Sequence, residues 1–372
     1  MYIDDNVDVN VYGQSHKAFS KFLERYALVT EYDMNVTMHD VAKLAGVSTK
    51  TVSRVVNKQG EISDSTRTRV QAAIEQLGYR PNFLARSLVN QRSNMLAVVT
   101  WGIDYYGPSR IVVGIEHRSN ELGYSLFLNL MAHPYDNSPS KILDTLIAHQ
   151  VDGILWSVPE VSDNRAWLNI TRMDHLPPIV FLNMQPRPGL TSVSIDNLHG
   201  GIQATRHLIS QGRRRIGLIS GPLDWWEAEE RRAGWQEALQ GAGLAPEPSL
   251  VAEAEWSVES GAAAMQILLG REPRIDAVFA CSDHIALGAL TAAHRLERRV
   301  PEDIAIVGFD DIPESAYLQP PLSTIQQPLV DIGRLAVENL HTMIEARRNG
   351  DGSVEPVAIV QEPRLVVRAS SL

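Results

Sequence analysis

Residues 40–57 read DVAKLAGVSTKTVSRVVN, and the spacing within this stretch organises the N-terminal part of the chain. Thr37 stands as an N-cap with Asp40 three positions on, and Val41, Ala42, Leu44 and Ala45 place an apolar stripe on a short helix. Gly46 stops that helix, Val47 and Ser48 form the turn, and Ser48 caps a second helix. On this second helix Val52, Val55 and Val56 face inward, while Thr49, Lys50, Ser53, Arg54 and Asn57 share an outer face that is short, polar and cationic. A third helix is expected from the cap Ser63, burying Val70, Ala73, Ile74 and Leu77 and stopping at Gly78. Two helices joined by a tight turn and braced by a third form the helix-turn-helix plan, whose second helix offers its N-terminal residues to base edges in the major groove. A small helical domain that binds protein would share the pattern.

Charge separates these two readings. The whole chain carries −10, yet residues 36–92 hold nine lysines and arginines against four acids, a local +5. Residues 1–35 carry −3, so residues 93–372 carry −12. A basic head on an acidic body points to a polyanionic partner for the head alone.

At 372 residues the chain calls for two or three domains, and 44% hydrophobic with 21% charged residues is the composition of a globular protein with a sizeable core. A single cysteine, Cys281, excludes an internal disulfide and a multi-cysteine zinc site; it reads as a small apolar residue in a strand. No apolar run reaches the roughly 18 residues of a membrane helix, and MYIDDNVDVNVYGQ is acidic where a secretion signal is basic. The expected compartment is the cytoplasm.

Beyond Ser93 apolar runs alternate with amphipathic helices. Strands are expected at 95–101, 124–130, 153–158, 178–184, 215–221, 276–282 and 304–311, separated by helical stretches such as LHGGIQATRHLISQG and WEAEERRAGWQEALQGAG. Strands buried on both faces and joined by crossover helices make parallel sheets, and this many units make two. The expected fold is therefore an all-α helix-turn-helix head followed by an α/β core of two Rossmann-like parallel-sheet subdomains. Ligands of open parallel sheets sit beyond the carboxyl ends of the strands. Those ends here carry Thr100, Trp101, Ser157, Asn183, Gly221 to Asp224, Ser282, Asp283, Asp310 and Asp311. Carboxylates and amides for hydroxyls, with aromatic faces for C–H surfaces, suit a small polyhydroxy ligand in a cleft between two sheets.

VTMHDVAKLAGVSTKTVSRVVN, followed by ISDSTRTRVQAAIEQLGYRPNFLARSL, resembles the head of the LacI family of bacterial transcription repressors over more than fifty residues. The likeness extends to about residue 368 through VSIDN, GGIQATRHLI, RRIGLISGPL, ERRAGWQEAL, ALGAL, VPEDIAIVGFDDIP and PPLSTIQQP. Trp101 to Val112 look most like the lactose-repressor branch. The family's core shares the architecture of periplasmic sugar-binding proteins.

The resemblance implies that Thr49 and Lys50 read operator bases, that Arg54 reaches the groove, and that Ser48, Thr51, Ser53, Asn57 and Thr66 position on phosphates. It implies a hinge helix at 83–93 that forms in the DNA-bound dimer, with Leu88 wedged into the minor groove and Ala85 beside it. FLARSL is too short to be a stable helix alone, and an apolar wedge kinks the duplex. In the core, Arg231 and Asp310 match the pair that grips effector hydroxyls, Asn183 a polar contact and Trp256 a stacking tryptophan; Trp101, Tyr105 and Tyr106 line the first half of the pocket, with Ser157 at a strand end. Ser282 replaces an asparagine frequent in the family, and Glu229 replaces an arginine, which leaves the sugar's identity open. Trp225 and Trp226 fit a core or lid role as well as stacking.

The implied protein is a homodimeric repressor that binds a pseudo-palindromic operator and responds to a small molecule, a sugar or glycoside, with no cofactor, metal or membrane. A purine-type corepressor is the alternative effector. A sugar-binding receptor without regulatory role would not need Lys50 and Arg54, and an enzyme lacks a phosphate loop, metal spacing or nucleophile elbow here. The expected domains are an extension at 1–35, disordered or preceding a true start at Met34, a head at 36–82, the hinge, and a core at 94–372. Within the core, subdomain 1 takes about 94–193 and 327–355, and subdomain 2 about 194–326 and 356–370. The ending LVVRASSL has no leucine heptads, so no tetramer-forming tail is expected.

Overall fold

The computed structural model describes residues 36–56, 60–79, 92–169, 173–351 and 354–372, and divides into two units, Met1–Arg92 and Ser93–Leu372. In the first unit, helix α1 (Met38–Ala45) opens with a capping box: the Asp40 amide donates to Thr37 Oγ1 at 3.4 Å, and the Thr37 amide donates to the Asp40 carboxylate at 2.9 Å. The Thr37 hydroxyl, which donates to the same carboxylate at 2.6 Å, and the Thr37 amide hold the Asp40 carboxyl below its ordinary pKa. Gly46, at φ +64°, ends α1 in the left-handed conformation that glycine adopts without strain. The Ser48 hydroxyl accepts from the Thr51 amide at 3.1 Å and starts α2 (Thr49–Val56); α3 spans Asp64–Leu77.

Val41, Ala42, Ala45, Val52, Val55, Val70, Ala73 and Tyr79 form the core of this unit. Two expectations shift. Leu44 is 45% exposed, because at about 100° per residue it lies a quarter turn from Ala45 and on the far side of α1 from Ala42. Ser63 occupies the cap position of α3, but its hydroxyl donates to Thr66 Oγ1 at 2.9 Å and makes no cap bond to the backbone.

The second unit holds two six-stranded sheets with the same plan. The first has the order β11-β5-β4-β3-β1-β2 and the second β12-β10-β9-β8-β6-β7. The strands are β1 (Met95–Thr100), β2 (Ser125–Leu130), β3 (Gly153–Ser157), β4 (Ile179–Leu182), β5 (Thr191–Ile195), β6 (Ile216–Ser220), β7 (Val251–Glu253), β8 (Ala277–Ala280), β9 (Ala305–Asp310), β10 (Ser323–Gln326), β11 (Ala358–Gln361) and β12 (Arg364–Val366). Every pairing is parallel except β10 with β12. All seven expected strands form, trimmed by one or two residues at their ends.

Seven helices cover the sheets: α4 (Tyr106–Glu121), α5 (Ser140–Ala148), α6 (Asn197–Ser210), α7 (Trp226–Gly241), α8 (Val258–Arg271), α9 (Asp283–Arg295) and α10 (Leu329–Asn349). The chain passes from one lobe to the other three times: at Asp196, at Gln327–Pro328, and at Glu362–Pro363. The last passage corrects the boundary expected at 355, since Ala358–Gln361 pairs with Thr191–Ile195 of the first sheet. Only Glu362 and Pro363 separate AIVQ from RLV, so pairing alone assigns the two to different sheets.

Helices α6 and α7 cross closely enough that a Cβ on Gly234 would lie 2.2 Å from the Leu198 carbonyl oxygen, which only glycine avoids. This crossing sets α7 against α6 and fixes the first two turns of α7 at the sheet edge, where the cleft opens.

Candidate functional site: an interlobe cleft and a polar helix face

The nine core residues expected at a ligand site all line one cavity between the two lobes: Trp101, Tyr105, Tyr106, Ser157 and Asn183 from the first, and Arg231, Trp256, Ser282 and Asp310 from the second. Sequence reading missed Asn197, Glu227, His284 and Gln327, which share it with Trp225, a residue for which stacking and a core or lid role were both open.

Arg231 is 6% exposed and held on three sides. Its Nε donates to Asn197 Oδ1 at 2.8 Å, its Nη1 donates to the Cys281 carbonyl at 2.6 Å, and the guanidinium lies 3.8 Å from the centre of the Phe309 ring. Cys281 is fully buried, and burial pushes its thiol up to about 12, in keeping with an apolar role. Asp310 ends β9 at φ +131° and accepts from Gln327 Nε2 at 2.5 Å. Burial pushes its carboxyl up to about 7, against the pull of Arg231.

Behind it, the fully buried Asp283 accepts from the Ile312 amide at 2.9 Å and from the hydroxyls of Ser315 and Thr324 at 2.7 and 2.5 Å. These bonds clamp the turn that presents Asp310. Asp311, grouped with Asp310 by its place at the strand end, does not line the cavity: it accepts from Arg368 Nη2 at 2.6 Å and from Gln326 at 2.5 Å. Ser282 spends its hydroxyl as the N-cap of α9, accepting from the Ile285 amide at 3.1 Å.

Aromatic rings line the cavity beside these groups, with the Arg231 guanidinium 5.6 Å from the centre of the Trp256 ring. Trp101 stacks on Tyr105 with centroids 5.3 Å apart, Trp225 meets Trp101 edge-on at 5.5 Å, and Trp256 meets Trp225 at 5.7 Å. Gly221 makes room for Trp256, whose ring would lie 2.2 Å from any Cβ there. Of the two adjacent tryptophans, Trp225 is part of this wall and Trp226 opens α7 outside it.

Backbone bonds tie the lobes together beside this wall: the Ser162 amide donates to the Asp224 carbonyl at 2.8 Å and the Trp226 amide to the Glu160 carbonyl at 3.0 Å. Four polar atoms around the cavity have no partner in the protein: Asn183 Oδ1, Glu227 Oε2, and Nε1 of Trp225 and Trp256. Buried polar atoms are normally paired, so two acceptors and two donors left open at one cavity are suited to a ligand that both donates and accepts.

In the head, Ser48, Thr49, Lys50 and Arg54 are exposed and Thr51, Ser53 and Thr66 half-buried, with Val52 and Val55 behind them in the core. Asn57, Ala85 and Leu88 lie outside the described residues, as do residues 1–35 and most of the expected hinge. Among the described residues no cluster of His, Cys, Asp and Glu is arranged to hold a metal ion, and no helix is long and apolar enough to cross a membrane.

Residues 37–82 match the family model of bacterial regulatory proteins of the lacI family, and residues 205–371 match the periplasmic binding protein-like domain. The HTH-type transcriptional regulator CelR of Thermobifida fusca is 36% identical over 352 residues, covering 90% of this chain and 98% of that protein. The chain belongs to the LacI family.

Two solved structures of LacI-family regulators resemble it throughout. A CelR–cellobiose complex superimposes with a TM-score of 0.67 at 34% identity, covering 90% of this chain and all of that one (100%). A lac repressor dimer bound to operator and the anti-inducer ONPF superimposes with a TM-score of 0.80 at 30% identity, covering 91% and 99%. The LacI-family protein described here is accordingly a DNA-binding transcriptional repressor with an effector-binding core, and its relatives are regulators, not enzymes.

Proposed function

We propose that the chain is a homodimeric repressor whose operator affinity is set by a sugar or glycoside held between the two lobes. The observation that carries this reading is the cavity itself: the rings of Trp101, Tyr105, Trp225 and Trp256 share its lining with Arg231, Asp310, Asn183 and Glu227. Rings pack on the C–H faces of a pyranose while charged and amide groups take its hydroxyls. CelR, a relative over nearly its whole length, has been solved with cellobiose.

Thr49, Lys50 and Arg54 are proposed to contact bases, and Ser48, Thr51, Ser53, Asn57 and Thr66 phosphates, with Ala85 and Leu88 acting from the hinge at 83–93. The dimer is supported by the edge strand β2, whose Leu128 and Leu130 are 45% and 51% exposed. Ligand binding shifts the lobes between two arrangements and couples to the head by about 1 to 3 kcal/mol.

The test titrates the full chain with cellobiose and with hypoxanthine, following tryptophan fluorescence and operator binding together. A response to the glycoside supports the reading. A response to the purine base alone overturns the sugar assignment, and a monomer in ultracentrifugation with and without DNA overturns the dimer.

A further inference from the structure

Glu227 stands in the first turn of α7, four residues before Arg231, so both side chains leave one face of the helix. It is 8% exposed, it lines the cavity, and its Oε2 has no hydrogen-bond partner in the protein. Each nearby cation has other hydrogen-bond partners. Arg231 donates to Asn197 and the Cys281 carbonyl. Arg165, on the segment after β3, donates to the Val158 carbonyl, and Arg187 pairs with Glu160. Glu160 and Arg165 come from the first lobe and Arg231 from the second, so Glu227 sits where the two lobes meet.

An unpaired carboxylate oxygen in a desolvated cavity is among the costliest groups a fold can carry, and it is relieved by a donor. A sugar hydroxyl is such a donor; a phosphate dianion at pH 8 is not. A phosphoryl group would add negative charge to a cavity lined by two carboxylates, Glu227 and Asp310, and one guanidinium, Arg231, which is already engaged, as is the buried Arg165 near Glu227. We infer that Glu227 determines the specificity of the cleft: its free oxygen accepts a hydroxyl of an uncharged polyhydroxy ligand, and its charge keeps phosphorylated sugars out. This rests on the sugar reading of the cleft. Burial pushes the Glu227 carboxyl up to about 7, with Arg231 opposing, so the charge is in place at pH 8.

The experiment measures affinities of the full chain for cellobiose and for its 6-phosphate at pH 8, by tryptophan fluorescence and calorimetry, in the wild type, Glu227→Gln and Glu227→Leu. The wild type is expected to prefer the neutral sugar by about a hundredfold, in line with the rejection a site with mismatched buried charge achieves. Glu227→Gln keeps the shape and an acceptor oxygen; it should hold cellobiose within about tenfold and narrow the preference about tenfold. Glu227→Leu should lose cellobiose by more than about tenfold. Operator binding reports whether each variant is folded, and if the leucine variant is not, the preference of the glutamine variant decides. Wild-type affinity and unchanged preference in Glu227→Gln overturn the inference and leave the sugar reading standing. A wild type that binds purine bases and no glycoside overturns both.

Discussion

In the head, the side chains proposed to contact bases stand on an eight-residue helix with Lys50 and Arg54 in solvent, whereas in the core Arg231 is 6% exposed and gripped by Asn197, Cys281 and Phe309. The exposed cations meet a polyanion at little desolvation cost, and their binding energy comes largely from counterion release. Folding has already buried the polar groups of the cleft, so each one without a protein partner carries a penalty that a matching ligand removes. Such a cleft selects sharply, while a solvated helix face binds any duplex and distinguishes sequences through a few base contacts.

The largest effect that would break this contrast is expected at Arg231. Replacing it by alanine strips the guanidinium from Asn197 and the Cys281 carbonyl and removes the cation that favours the charged forms of both Asp310 and Glu227. Effector affinity should fall by about 3 kcal/mol or more, roughly a hundredfold, while operator affinity stays as it was. Measured operator release by effector that survives in Arg231→Ala would show that the ligand binds elsewhere.

Next in size is Lys50→Ala. It should remove about 1 to 3 kcal/mol of discrimination between operator and random DNA and leave the effector titration unchanged. Equal weakening on both DNAs, seen in competition binding, would instead make Lys50 a phosphate contact.

A smaller effect concerns pH. Glu227 and Asp310 have carboxyls raised to about 7 in the folded state, so between the unfolded value near 4 and about 7 the folded chain holds protons that the unfolded chain has released. Stability of the ligand-free core should therefore rise as pH falls from 8 to about 5.5, lifting its thermal midpoint by a few degrees, roughly what 1 kcal/mol does for a domain of this size. Exposed carboxylates held low by arginines, such as Glu121 at about 2, oppose this only below about pH 4.5, and His207, held low by burial, opposes it below about pH 6.5 as one group against two. A flat midpoint over that range would mean that the cleft stays solvated and resembles the head. The smallest effect is in the head: Thr37→Ala removes the capping box and should cost about 1 kcal/mol of its stability by urea melting, with no change in effector affinity.

The two regions also differ in how far they could be read from sequence. Caps, glycine stops and a 3.6-residue period place the three head helices, because helices of 8 to 14 residues are specified by local rules. Leu44 escaped those rules, since a short amphipathic stripe does not say how wide the buried face will be. In the core seven strands are visible as apolar runs. β5, β7, β10, β11 and β12 are not, because TSVSI, VAE, STIQ, AIVQ and RLV hold no more than three apolar residues each beside polar ones, whereas IVFL and AVFA of similar length are apolar throughout. Pro363, the one break between β11 and β12, carries no sign that the two belong to different sheets.

Around the cleft, strand ends and the family resemblance single out Arg231, Asp310, Asn183 and Trp101 from the order of residues alone. Glu227, Gln327 and Asn197 were out of reach of such reasoning, although Glu227 stands four residues before Arg231 in the same helix.

Sequence by itself determined the helix-turn-helix, the alternation that yields two parallel sheets, the family, and the charge split that assigns the polyanion to the head. Tertiary structure alone decided which of the two sheets each short strand joins, that Asp311 turns to Arg368 while Asp310 lines the cavity, and that a glutamate is left with an open oxygen at the lobe junction. Helices and caps are set by neighbours a few residues away. Burial and hydrogen-bond satisfaction depend on atoms hundreds of residues apart in the chain, and they exist only once the two lobes have closed around the same space.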